Sequence, residues 1–285
     1  MTVRLGRIGY RNVLPIYRAL EDGRLKHGME LVYGPPAALN DRMAAGELDV
    51  ASVSSIEYAR RPQRYLLLPG LCIGSRGPVR SVLLLSRRPV DELHGRSILV
   101  SAQTHTSAAL LRVLLAEHLR VTCACATGDA TAALAAGQRP EAILAIGDEA
   151  LRLRRHPEYP FRLDLGAAWS QWSGLPFVFG VWVASRESAA EKPGEVADAV
   201  AMLHRSKALG MAELDAISML AAPESGLNVS EMRDYFNGLV FDLGDEECRG
   251  LTRFYDELQR FGMLPGPVPV RFFDADAPQN ARTCP

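Results

Sequence analysis

The chain has 285 residues, enough for about two domains and for a full hydrophobic core without cross-links. Hydrophobic residues make up 48% and charged residues 23%, a globular balance that excludes a disordered or fibrous chain. Lys plus Arg total 32 and Asp plus Glu 33, so the net charge of −1 argues against broad attraction to nucleic acid or to an anionic membrane, while leaving room for a local anion site.

In chain order, Val3 to Ile8 reads as a strand stopped by Gly9. Pro15 then opens a helix carrying Ile16, Ala19 and Leu20 and closed by Gly23. Met29 to Tyr33 is a strand, Ala38 to Ala45 a helix, and Val50 to Val53 a third strand. Ser54-Ser55 opens a helix with Ile56, Tyr58 and Ala59. Leu66 to Leu68 and Val79 to Leu85 are strands separated by a loop around Gly74 and Gly77. The pattern then restarts: strand Ser97 to Val100, polar turn Thr104 to Ser107, helix Ala108 to Leu119, strand Val121 to Cys125, helix Ala130 to Ala136, strand Ala142 to Ile146, helix Ala150 to Arg154. A very apolar strand runs within Gly174 to Arg186, and the remainder from Ala189 is mainly helical.

This alternation predicts an α/β architecture with a largely parallel sheet. The restart near RRPVDELHGR predicts two lobes, with residues 1–91 and 178–285 forming a discontinuous first domain and 92–177 an inserted second one. Ligands of such folds bind between the lobes, at the carboxyl ends of the strands. No run approaches the roughly 18–20 apolar residues of a membrane span. The N-terminal stretch has no apolar segment of roughly 7–15 residues with a cleavage site, so a cytoplasmic protein is expected. Five cysteines (Cys72, Cys123, Cys125, Cys248 and Cys284) include no C-x-x-C pair, and are expected as buried apolar thiols of a reducing compartment rather than metal ligands.

Candidate site residues sit where strands end and helices begin. Asn12, in the turn Gly9-Tyr10-Arg11-Asn12, either meets a ligand or caps its helix. Ser54 and Ser55 form a hydroxyl patch suited to a carboxylate, though capping accounts for one of them; Glu57 beside them reads as a helix-dipole carboxylate. Ser81 starts an apolar strand just after Arg80. Thr104-His105-Thr106-Ser107 places hydroxyls at a helix N-terminus, a ready anion site, and His105 there is a candidate base without a visible orienting carboxylate. Gly147-Asp148 follows a buried strand, with Asp148 either capping or facing the cleft. Nucleotide-binding glycine motifs, H-E-x-x-H and G-x-S-x-G are all missing, so any chemistry is expected to proceed without a cofactor.

Four segments then occur in order: GRIGYRNVLPIYRALE, LDVASVSSIEYARRP, YLLLPGLCIGSRGPVRSVLLLSR and WSGLPFVFGVWVA. Together, from about Val3 to Phe261, they resemble the chorismate dehydratase family of the futalosine route to menaquinone. The spacing of Gly6, Tyr10, Asn12 and Pro15 favours that family over the sister 1,4-dihydroxy-6-naphthoate synthase. The resemblance implies a bilobal fold like type II periplasmic binding proteins. It also implies a cofactor-free hydro-lyase whose partner is the small molecule chorismate, converted to 3-[(1-carboxyvinyl)oxy]benzoate. It places Asn12 and Ser81 at the reacting centre, and Tyr10, Ser54, Ser55, Thr106, Ser107, Gly147 and Asp148 around the substrate. With no convincing protein base, the substrate's own enolpyruvyl carboxylate is a candidate for that role. Arg11 departs from the family pattern, in which an apolar residue is common, and would face solvent or add a cation at the cleft mouth. A small-anion binding protein of the same fold is the alternative from a different class.

Overall fold

A computed structural model describes residues 2–101 and 104–275. Its strands are β1 (Arg4–Ile8), β2 (Glu30–Gly34), β3 (Val50–Ser54), β4 (Tyr65–Ser75), β5 (Val82–Ser86), β6 (Ser97–Val100), β7 (Ala124–Thr127), β8 (Ala142–Ile146), β9 (Phe161–Asp164) and β10 (Phe177–Ser185). Its helices are α1 (Leu14–Glu21), α2 (Pro36–Ala44), α3 (Ser55–Arg60), α4 (His105–Val113), α5 (Ala130–Ala135), α6 (Gly147–Leu153), α7 (Leu165–Ser173), α8 (Arg186–Glu191), α9 (Pro193–Ala212), α10 (Leu214–Ala221), α11 (Val229–Asn237) and α12 (Asp245–Arg260).

Two five-stranded sheets result, ordered β2-β1-β3-β10-β4 and β7-β6-β8-β5-β9. The two orders are equivalent. In each, the strand in the fourth place is the first to arrive from the other sheet, and it runs antiparallel to both neighbours. The remaining ladders, β1 with β2 and β3 and β6 with β7 and β8, are parallel. The expectation of a largely parallel sheet is therefore corrected: half of the ladders in each sheet are antiparallel, because a strand entering from the other lobe comes in the reverse direction.

The first crossing also lies earlier than the sequence suggested. Residues 82–86, assigned to the first domain, form β5 of the second sheet, so the sheets divide between Ser75 and Val82 rather than near Pro89. The break is made by Arg80, whose φ of 62° ends any strand starting at Val79, and by Asp164, which accepts from Val79 N at 3.0 Å and Arg80 N at 2.6 Å. The chain returns to the first sheet between Ser173 and Phe177. Other local departures follow from tertiary pairing. Gly74 lies inside β4, where its N–H bonds Val240 O, rather than in a loop. The helix expected over 108–119 begins at His105, and its second half, Leu114–Leu119, widens to a π-helix. The strand expected over 121–125 pairs only over β7, three residues later. The tail from residue 276, including Cys284, lies outside the described residues.

One continuous apolar core joins both lobes, and a smaller cluster sits on the far face of the second sheet. β5 shows why. Val82 and Leu84 face the main core while Leu83 and Leu85 face the smaller one, as the two-residue strand period requires. α12 contributes Cys248, Leu251, Phe254, Tyr255 and Leu258 on one stripe, with Asp245, Glu246 and Glu247 at its N-terminus and Arg260 in its last turn, as the helix dipole favours. Of the cysteines expected in the core, Cys72 and Cys248 are buried, whereas Cys123 is half-buried and Cys125 exposed on the edge strand. No helix among the described residues is long and apolar enough to cross a membrane.

Candidate active site

The carboxyl ends of β1, β3 and β8, and the N-termini of α4 and α6, converge on one cavity between the sheets. Its walls include Ile8, Tyr10, Asn12, Ser52, Ser54, Ser81, Thr104, His105, Thr106, Ser107, Ile146, Gly147 and Phe179. About 700 Å³ inside it is free of protein atoms, solvent at the mouth included. That is the size range of small-molecule sites. Ile8, Val53, Ile73, Val79, Val82 and Phe179 make the apolar part; the polar part is almost entirely hydroxyl and amide.

Asn12 lies in a single 3-10 turn, Arg11–Val13, and caps no helix. Its Oδ1 is buried without a hydrogen-bond partner. A buried acceptor left unpaired costs about 1–3 kcal/mol. Ser81, 3% exposed, accepts from the Tyr235 hydroxyl at 3.0 Å. Because Tyr235 donates, the Ser81 proton is left for the cavity or for the distant Val79 carbonyl at 3.5 Å. Burial raises the Tyr235 phenol, against the opposing bond to Ser81, so Tyr235 stays a donor. Tyr10 is pushed up to about 12, first by burial and then by Asp148 and Glu149; it too remains protonated at neutral pH. Its ring lies across Gly147, where a Cβ would meet it at 3.1 Å, and Gly147 holds a φ of 53° that glycine alone adopts without strain.

The hydroxyl turns meet across the cleft. The Thr106 Oγ1 accepts from Ile56 N at 3.2 Å and lies 3.4 Å from Ser55 Oγ. Thus the first turn of α3, which neither Ser54 nor Ser55 caps, finds its partner on the other lobe. Ser54 lines the cavity and accepts from Asn40 Nδ2 at 3.3 Å, whereas Ser55 is wholly buried behind the wall. Ser107 lines the cavity beside His105. Asp148 meets only one of the two expectations: it lines a neighbouring pocket of the same cleft, with Tyr10 and Ile146. It is not a cap, and it lies outside the cavity, where it accepts from Arg11 N at 3.3 Å and Arg11 Nη1 at 2.6 Å. Arg11 also donates to the Ala221 and Pro223 carbonyls, at 2.9 Å each. The residue that broke the expected pattern is therefore a tie between lobes. Glu57 is turned away as well, bonded to Arg61 and the Tyr65 hydroxyl.

The sequence reading missed Ser52, Phe179 and Tyr235. Ser52 sits in the middle of β3, and Tyr235 reaches Ser81 from 154 positions away. No local pattern marks either one. Among the described residues no group of three or more His, Cys, Asp or Glu is placed to hold a metal.

A family model described as menaquinone biosynthesis matches residues 3–260. The chain belongs to the menaquinone biosynthesis family. Proteins similar to the chain include a chorismate dehydratase of Thermus thermophilus, 28% identical over 89% of this chain and 94% of that one. A protein named 1,4-dihydroxy-6-naphtoate synthase from the same organism is 27% identical over 94% of this chain and 98% of that one. Among solved structures, the alkanesulfonate-binding protein SsuA of Xanthomonas axonopodis pv. citri superposes with a TM-score of 0.70 at 18% identity, covering 94% of this chain and 95% of that one. The fold of this menaquinone biosynthesis family member is thus the bilobal α/β fold of periplasmic binding proteins, and its cavity occupies the cleft between the lobes.

Proposed function

We propose that the protein is a chorismate dehydratase, a hydro-lyase that forms 3-[(1-carboxyvinyl)oxy]benzoate in the futalosine route to menaquinone. The observation that carries the reading is the buried, unpartnered Oδ1 of Asn12 at the head of a cavity walled by hydroxyls and apolar groups. That acceptor asks for an O–H donor. Chorismate with both carboxyls ionised has a single one, the ring hydroxyl that departs.

The reaction balances without an external reagent. The C–H bond at the ring carbon bearing the enol ether breaks, and its electron pair delocalises through the diene onto the ring carboxylate. The electrons then return to the ring as the neighbouring C–O bond breaks, and the hydroxyl leaves as water with one proton. Aromatisation supplies the driving force. In this reading Asn12 holds the departing hydroxyl, and Ser81, with its proton kept free by Tyr235, donates to developing negative charge. Tyr10 and Phe179 cover the ring, and Ser54 and Ser107 meet carboxylates. The described cavity wall carries no carboxylate, and in this reading the substrate's enolpyruvyl carboxylate is the base.

Mixing the purified protein with chorismate tests this. Loss of the diene absorbance, with a product lighter by one water and aromatic in spectrum, is the expected result. Tight binding with chorismate unchanged would leave a carboxylate-binding protein and end the enzymatic reading.

A further inference from the structure

Among the described residues, no Arg or Lys lines the cavity that the dehydratase reading fills with a dianion. Among the described residues lining it, His105 is the only side chain able to carry a positive charge. It stands in the first turn of α4, half-buried, and among the described residues no hydrogen-bond partner is seen for its ring. The charged groups around α4 are occupied elsewhere. From α3, Glu57 bonds Arg61 and Tyr65; from α12, Glu257 pairs with Arg253 and Arg260. Glu117, in the π-helical continuation, also meets Arg260. Arg60 of α3, and Arg112 and His118 on the same helical stretch, do not line the cavity; α7 and β8, also packed on α4, carry no charge. On the cavity side Tyr10 is the other titratable group, and it is neutral. No protein carboxylate is therefore placed in the cavity wall to orient His105 as a base, while a ligand carboxylate there would meet its imidazole unopposed.

We propose that His105, in its imidazolium form, is the counter-charge for the ring carboxylate of the substrate. The inference rests on the dehydratase reading for the identity of the substrate, and on the cavity alone for the anion. The ring carboxylate is assigned because a cation on the enolpyruvyl carboxylate would weaken the base, whereas on the ring carboxylate it draws off the charge that develops during proton removal. An anion held there favours the protonated ring, so binding is expected to take up a proton.

The test uses 3-hydroxybenzoate, which has the ring carboxylate and lacks the enolpyruvyl one. Calorimetric titration of the wild-type protein at pH 7.5, in buffers of different ionisation enthalpy, should show uptake of a substantial fraction of a proton. His105→Gln should bind more weakly and take up none. With chorismate, the advantage of wild-type kcat/KM over His105→Gln should shrink as pH rises, until the two curves meet. Failure of 3-hydroxybenzoate to bind the wild-type protein, or binding without proton uptake, overturns the proposal even if chorismate is turned over. Proton uptake without chorismate turnover would keep His105 as an anion site and remove the dehydratase reading instead.

Discussion

Asn12 and Asp148 show how far single residues could be read. Asn12 was a ligand contact or a cap on local grounds, and the structure removes the cap, leaving an acceptor without a partner. Replacing it should therefore cost chemistry rather than stability. Asn12→Ala is expected to lower kcat by about 10²-fold, the order seen when one oriented polar group of an active site is lost. Its thermal midpoint should match or slightly exceed that of the wild type, since an unpaired buried oxygen has gone; steady-state kinetics with chorismate and a melting curve check both. For Asp148 local grounds could not choose between cap and cleft, because its partner, Arg11, is 137 positions away. Strand ends announce that a residue is near the cleft. They do not say whether its side chain turns in, as Ser54 does, or is claimed by a distant partner, as Ser55 is by Thr106.

Elements were legible where their own residues decide them and illegible where a neighbour does. β8 and β6 fall where their β-branched and aliphatic runs put them. β5 was placed on the wrong side of the crossing because Asp164, not the local sequence, sets the turn at Arg80. Short amphipathic stretches such as β9, whose exposed Phe161 and Arg162 resemble a loop, pass unnoticed without the β5 edge that pairs them. Packing within one helix can be tested by a pair of glycines on α9. A Cβ at Gly210 would stand 1.9 Å from Pro15 O on α1, whereas one at Gly194 meets nothing within 4 Å. Gly210→Ala is expected to destabilise by at least about 1–3 kcal/mol through overpacking. Gly194→Ala should be neutral or stabilise by up to about 1 kcal/mol through helix propensity. Denaturant midpoints at unchanged slope would read both values.

At the scale of the whole molecule, the two-lobe plan and the cleft location followed from the alternation of strands and helices that stops and restarts. The closure of the first lobe by chain segments far apart did not, because it depends on charges. Asp49, 1% exposed, accepts from Arg4 N at 2.7 Å and Ser188 Oγ at 2.7 Å, and pairs with Lys192 at 2.9 Å. It thus fastens β1 and the start of β3 to the helix that follows β10. Burial pushes its carboxyl upward, but the bonds from Arg4, Lys192 and Ser188 outweigh this and hold it well below the usual carboxylate range. A depressed folded-state value means that this stabilisation is complete above the unfolded value of about 4 and is lost as pH falls below it. The stability advantage of the wild type over Asp49→Asn should be constant from neutral pH to about pH 5 and shrink below about pH 4 in urea titrations.

The tie between Ile56 N and Thr106 Oγ1 has a consequence for measurement. Most backbone amides in this fold are bonded inside their own helix or sheet, so their exchange with deuterium reports local fraying or global unfolding. The Ile56 amide is bonded to a side chain of the opposite lobe, so parting of the halves breaks its bond. Its isotope-exchange rate is therefore a built-in clock for domain separation, one that needs no label and no ligand.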